Sequence, residues 1–214
     1  WRKFCSKNNL DLEKILSSIR LRKTHNNIMR SGIGVGGYCL TKDPLFAKAS
    51  SQQVLQKKFD FPLSSKAVEV NKKMTFDVMS EIRDKFNKKI FGKKVLLIGV
   101  SYREDTNDTR YSPAEGVFDF FKKMKCKTSF YDPIVNYWDF TDSYSIEKKD
   151  LDNFDVYVYL IKHQSFKKLN IPYKKKSLIL DLNHVLERNK RLRISNSKNY
   201  KSYFIGSKQL WNIW

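Results

Sequence analysis

The spacing of apolar residues changes character along this chain. Leu12, Ile15, Leu16 and Ile19 recur at helical intervals after Asp11. They predict a short amphipathic helix that ends in the basic run Arg20-Leu21-Arg22-Lys23. Asp43-Pro44 has the form of an N-cap with proline at the first helical position, and predicts a second helix to about residue 58, broken at Phe61-Pro62. Ser64 or Ser65 can cap a long helix in which Val70, Met74, Val78, Ile82 and Phe86 repeat every fourth residue. About 22 such residues span about 33 Å. The stripe can pack on its own chain or against a second copy, and both readings stay open.

Past Gly92 the pattern becomes that of strands. Val95-Leu96-Leu97-Ile98-Gly99-Val100 is a continuous apolar run of the kind buried inside parallel sheets. Ser112-Pro113-Ala114-Glu115 reads as a capping box, opening a helix with Val117, Phe118, Phe121 and Met124. A strand over 128–131 ends at Asp132-Pro133. Further strands are expected at 155–161, 177–182 and 202–205, with a short helix at 165–169. Strand, helix and strand in that order imply right-handed crossovers and a doubly wound, Rossmann-like parallel sheet. The fold class is therefore α/β. A central helical region over 1–91 carries the long helix, and a sheet domain follows over 92–214.

Two loops carry candidate chemistry. Gly32, Gly34, Gly36 and Gly37 are four of the chain's eight glycines, and Cys39 follows two positions later. Without Cβ atoms, their backbone can approach an anion or an oxygen closely. Cys39 would stand just ahead of the positive end of a helix starting at Asp43, a setting for a nucleophile, although a lone cysteine also serves as a small buried hydrophobe. Asp43 can cap the helix, act chemically, or both. The second loop, residues 101–110, leaves the first strand at its carboxyl end, where open α/β sheets bind ligands. Tyr102 can stack there. Arg103 and Arg110 can hold phosphates or pair locally with Glu104, Asp105 and Asp108. The loop lacks a Gly-x-Gly-x-x-Gly fingerprint, which favours a mononucleotide.

Composition narrows the partners. The formal charge of +20, from 42 Lys and Arg against 22 Asp and Glu, suggests an anionic ligand. The lysines are spread along the whole chain without an RNP-like motif, so most of the charge reads as solvated surface and no nucleic-acid partner is expected. Cys5, Cys39 and Cys126 are scattered and odd in number, which fits a reducing, cytoplasmic setting. His25, His163 and His184 are isolated, so no metal site is expected. No apolar run approaches the roughly 20 residues of a membrane span. The chain begins with Trp1 and reads as a fragment.

Residues 32–43 resemble the signature G-x-G-x-G-G-x-C-x-x-x-D, and residues 99–114 resemble G-x-x-(F/Y)-K-x-x-T-x-D-x-R-x-S-P-A. Tyr131-Asp132-Pro133 matches a recurrent Y-D-P. On these motifs the chain resembles the nucleotide-sugar 6-dehydrogenase family, which includes UDP-glucose, UDP-N-acetylhexosamine and GDP-mannose dehydrogenases. The resemblance implies oxidation of a sugar C6 alcohol to a carboxylate in two hydride transfers to NAD, through a thiohemiacetal and a thioester on Cys39. It implies Asp43 as the carboxylate beside that cysteine, and Arg30 (or Lys23), Gly34, Gly36 and Gly37 around the substrate. Tyr102 and Arg103 would contact the nucleotide of a UDP-sugar or other nucleotide sugar, and Arg110 would reach the NAD phosphates.

Three departures are visible. Arg103 stands where the family usually has Lys, and Ile33 and Tyr38 match neither the hexosamine nor the glucose pattern. The resemblance further implies an N-terminal Rossmann domain that binds most of NAD, and then a helix with a catalytic Lys and Asn, neither of which is in this sequence. Residues 1–5 look like that helix's tail. The expectation is thus an enzyme part that does not turn over alone and that dimerises through the long helix. The alternative is a non-catalytic nucleotide-sugar-binding and dimerisation module.

Overall fold

A computed structural model describes residues 1–207. The expected end of the sheet domain at residue 214 lies outside the described residues. The first part is helical: α1 (Arg2–Lys7), α2 (Leu12–Ile19), α3 (Tyr38–Lys42), α4 (Phe46–Gln53) and α5 (Pro62–Ile90). Asp11 caps α2 as expected, its Oδ1 accepting from the Lys14 amide at 3.0 Å. α1 lies on α5 through Arg2 and Ser6, which both bond Glu81, at 2.7 and 2.9 Å.

Three helix boundaries differ from the sequence expectation. No α-helix starts at Asp43. α3 starts at Tyr38 with Gly37 as N-cap, and Asp43 follows it in a 3-10 turn, Asp43–Leu45, without capping through its side chain. α4 ends at Gln53 instead of near residue 58, because Ser51 Oγ donates to the Lys57 carbonyl and accepts from the Phe59 amide, turning the chain. α5 is 29 residues long and begins at Pro62, not after Ser64 or Ser65, since proline is preorganised for the first helical position. Its backbone kinks at Phe86, where φ is −126°.

The sheet strands are β1 (Lys94–Ile98), β2 (Lys127–Tyr131), β5 (Val156–Tyr159), β6 (Leu178–Asp181) and β7 (Lys201–Phe204), in the order β2-β1-β5-β6-β7, all parallel. A small antiparallel hairpin, β3 (Tyr137–Trp138) and β4 (Ser143–Tyr144), was not legible in the apolar pattern. α6 (Pro113–Lys123) connects β1 to β2, and α7 (Arg188–Asn196) connects β6 to β7. Strand alternation splits the core in two. Val95, Leu97, Val158 and Leu180 face Val78 and Ile82 of α5 and Val117 and Phe121 of α6. Leu96, Ile98, Tyr159 and Ile179 face Phe166 and Leu169 of the segment after β5 and Ile194 of α7. Val78 and Ile82 are fully buried, each worth roughly 1.5–3 kcal/mol. The second half of the predicted α5 stripe therefore packs on its own chain, while Val70 stays 49% exposed. Among the described residues no helix is long and apolar enough to cross a membrane.

The strand order reverses between β1 and β5. In open α/β sheets a ligand crevice forms outside the carboxyl ends of the strands at that point. The loop after β1, holding Tyr102 and Arg103, and the segment after β5, holding His163, both emerge there.

Candidate functional site

The glycine loop is fastened to α5 by two side chains four residues apart. Asn71 accepts from the Val35 amide through Oδ1 and donates to the Val35 carbonyl through Nδ2, both at 2.8 Å. Thr75 Oγ1 donates to the Ile33 carbonyl at 2.7 Å. Gly34 between them has φ +119°, open to glycine but not to ordinary residues.

The loop after β1 presses directly on the far end of the glycine run. Gly37 has φ +83°, and a Cβ there would stand 2.7 Å from Tyr102 Cε2. A Cβ on Gly36 would stand 2.7 Å from the Tyr111 carbonyl oxygen and 2.8 Å from Pro113 Cδ. These two glycines are therefore needed at least for close packing of one loop on the other. Tyr38 extends the seam, its ring meeting that of Tyr111 edge-on at 5.4 Å.

Gly37 also starts α3, which places Cys39 in the helix's first turn, with its side chain at the surface. Thr41 Oγ1 tightens that turn by donating to the Gly37 carbonyl at 2.7 Å. Lys42 pairs with Asp43 at 2.9 Å and lies over the rings of Tyr38 and Phe46, 4.3 and 4.4 Å from their centroids. The hydrogen bond to Asp43 holds the Lys42 ammonium above its ordinary pKa, with smaller contributions that include Tyr38 and Cys39. Lys42 was not singled out from sequence, although its position beside Asp43 was a signal for it.

Arg110 points to solvent and pairs locally with Asp108 at 2.7 Å. Its guanidinium lies 5.8 Å from the Tyr38 centroid, so it reaches the edge of the cysteine turn. Arg103 lies along the Tyr102 ring, 6.0 Å from its centroid. Arg30 is held elsewhere, at the start of the glycine loop, by Glu13 of α2 at 3.1 Å. There His184 approaches the Ser31 carbonyl at 2.8 Å and Glu13 at 3.2 Å, joining α2, the loop start and the turn after β6. Burial, aided by Arg191 and Arg30, pushes His184 down to about 4, while burial raises Glu13. The structure thus gathers Gly36, Gly37, Cys39, Asp43, Tyr102 and Arg110 around one seam, places Gly34 one clamp away, and sets Arg30 at the loop's other end.

Beneath Tyr102 lies a buried polar group that sequence reasoning missed. Asp132 follows β2, and although burial opposes its charge, hydrogen bonds from His163 and from the amides of Ile134, Val100 and Val135 hold its carboxyl below the ordinary range. Ser101, Asp132 and His163 are all nearly inaccessible. Tyr131-Asp132-Pro133 was visible as a motif, yet nothing in the sequence linked it to His163.

Comparison with known proteins adds to this geometry. Two models of the UDP-glucose/GDP-mannose dehydrogenase family match: the central domain over residues 1–73 and the UDP binding domain over residues 96–188. A UDP-N-acetyl-D-mannosamine dehydrogenase of Methanocaldococcus jannaschii is 30% identical over 90% of this chain and 44% of its own. One from Methanococcus aeolicus is 29% identical over 87% of this chain and 40% of its own. The chain thus spans less than half the length of these relatives. Among solved structures, an NDP-N-acetyl-D-galactosaminuronic acid dehydrogenase from Methanosarcina mazei superposes with a TM-score of 0.79 at 21% identity, covering 97% of this chain and 46% of the other. At that identity the likeness speaks for the fold.

Proposed function

The chain belongs to the UDP-glucose/GDP-mannose dehydrogenase family, and from that membership we propose that it forms the cysteine-bearing and nucleotide-binding parts of an NAD-dependent nucleotide-sugar 6-dehydrogenase. The observation that carries this reading is the packing of Tyr102 on Gly37, which sets a nucleotide-recognition loop two residues from Cys39. Residues 1–91 supply the cysteine, and residues from 92 onward the nucleotide site. Turnover is proposed for a protein in which a dinucleotide-binding part is also present.

The roles follow from the chemistry of the side chains. Tyr102 stacks on the base and Arg103 pairs with the diphosphate of a UDP-sugar, holding the sugar toward Gly34, Gly36 and Gly37. Arg30, paired with Glu13 at the loop's start, contributes from that end. The Cys39 thiolate attacks the C6 aldehyde, and the oxygen takes up a proton to give a thiohemiacetal. At the thioester stage water adds to the acyl carbon, the thiol leaves with a proton, and the carboxylate product is freed. Asp43, oriented by Lys42, activates that water. Arg110, whose side chain is 69% exposed beside Tyr38 and pairs with Asp108, would hold a cofactor phosphate. NAD, when bound, would accept the hydride lost as alcohol becomes aldehyde and as thiohemiacetal becomes thioester, with one proton released at each oxidation.

The outer face of α5 and the segment before it expose Phe59, Leu63 and Phe76, and this apolar surface is the proposed homodimer contact. The scattered free cysteines support a cytoplasmic setting.

Titration of the chain with UDP, UDP-N-acetylmannosamine, UDP-glucose, GDP-mannose and an oligonucleotide at near-physiological salt tests the reading. Saturable UDP binding is expected, with the oligonucleotide weak. Failure of every nucleotide and nucleotide sugar to bind would overturn it.

A further inference from the structure

His163 leaves the carboxyl end of β5, beside the point where strand order reverses, with its side chain fully buried. Its Nδ1 accepts the backbone N–H of Asp105 at 3.0 Å. A peptide N–H can only donate, so Nδ1 is unprotonated and the ring proton sits on Nε2. From there it faces Asp132 Oδ2 at 3.2 Å and Ser101 Oγ at 3.3 Å. The two nitrogens thus serve different partners.

The Nε2 side belongs to the rim of the sheet. Asp132 already accepts from Val100 at 2.8 Å and from Ile134 and Val135 at 3.0 Å, so the ends of β1 and β2 are tied together without Asp105. The Nδ1 side belongs to the loop. Asp105 Oδ1 accepts in return from the Gln164 amide at 3.0 Å, so residues 105 and 163–164 close on each other at two points. Asp105 has φ +53°, a left-handed conformation that needs such support. Ser101 Oγ bonds the Arg103 carbonyl at 2.8 Å inside the same turn. Tyr102 and Arg103 therefore lie between two anchored points.

Resting on the nucleotide reading above, we propose that His163 is a positioning residue for nucleotide recognition. Its Nδ1 lone pair holds the Asp105 amide and so sets the course of the turn that presents Tyr102 and Arg103. Its Nε2–H has the separate task of satisfying buried Asp132.

Two substitutions divide these tasks. His163→Asn keeps an acceptor at the Nδ1 position and removes the donor to Asp132, and His163→Gln does the reverse. UDP affinity measured by calorimetry should stay within about twofold in His163→Asn and fall about tenfold in His163→Gln, the scale of one lost hydrogen bond. Melting temperature should follow the opposite order, because His163→Asn leaves a buried carboxylate short of a donor. Exchange of the Asp105 amide should quicken in His163→Gln. A purely structural role predicts instead that affinity tracks melting temperature, and that result would overturn the proposal. Equal UDP affinity in both variants and the unsubstituted chain overturns it alone. Absence of UDP binding by the unsubstituted chain overturns the nucleotide reading and this role together.

Discussion

Cys39 is exposed, and Lys42 and Asp43 keep 37% and 41% of their side chains accessible, whereas Ser101, Asp132 and His163 on the facing rim keep 3% or less of their surface. One side of the seam displays its charged groups, while the other, although Arg110 reaches solvent, hides the groups that anchor it. The exposed side is held by backbone: glycines in special conformations and clamps from α5 to loop amides and carbonyls. The buried side is held by a carboxylate that collects several donors at once. A reactive group must meet substrate, while a group that only fixes a loop works best away from water, where its hydrogen bonds meet no competition.

Substitutions on the two sides should therefore fail differently. The largest effect is expected for Cys39→Ser in a protein supplied with its dinucleotide-binding part. Acid formation should fall by roughly three orders of magnitude or more with UDP affinity unchanged, and normal turnover would break the assignment of chemistry to the exposed side. Next comes Asp132→Asn, which replaces an acceptor-only carboxylate with an amide whose NH2 faces converging donors, and which should cost about 4 kcal/mol in urea unfolding. A loss below about 1 kcal/mol would mean that the rim does not depend on its charge.

Acid tests the place where the rim meets the loop's start. His184 is held near 4 in the folded chain, against about 6.5 when unfolded. The unfolded chain therefore binds the extra proton first, and stability is lost as pH falls from about 6.5 to about 4, by up to about 3 kcal/mol. Glu13, raised by burial, opposes this. In His184→Gln, which keeps a donor for the Ser31 carbonyl, this limb of the pH profile should flatten. The smallest effect is assigned to Gly37→Ala. Its positive φ and the Tyr102 ring in its path should cost about 2 kcal/mol and weaken UDP binding, because the added methyl displaces Tyr102.

The sequence showed what depends on neighbours in the chain. Asp11 capped α2, and Ser112 Oγ accepts the Ala114 amide at the start of α6, because a cap needs only contiguous residues. The buried strands were legible from continuous apolar runs. α7 was not, since Arg188, Lys190, Arg191 and Arg193 leave it no apolar stripe. It is held instead by Ile194 in the core and by Arg191 on Asp181, at 2.9 Å. At the site, the spacing of Gly36, Gly37, Cys39 and Asp43 flagged the loop. The partners that explain its glycines could not be read, because Tyr102 and Tyr111 lie far along the chain. His163 was harder still: its bond to Asp105 spans 58 positions, and an isolated histidine near lysines carries no mark of such a partner.

The clamp from α5 also has a consequence for chain length. Asn71 and Thr75 hold the glycine loop from the first half of the helix, while Val78, Ile82 and Ile90 fix its second half in the core beside β1. Each helical residue turns the face by about 100° and advances it about 1.5 Å. Losing a single residue between Thr75 and Val78 would swing Asn71 away from Val35, however well the helix itself tolerated the change. Insertions of seven residues, which return the face to within about 20°, would restore the direction but carry the clamp about 10 Å past its loop. The interval is therefore a fixed gauge, closed to any change in its count.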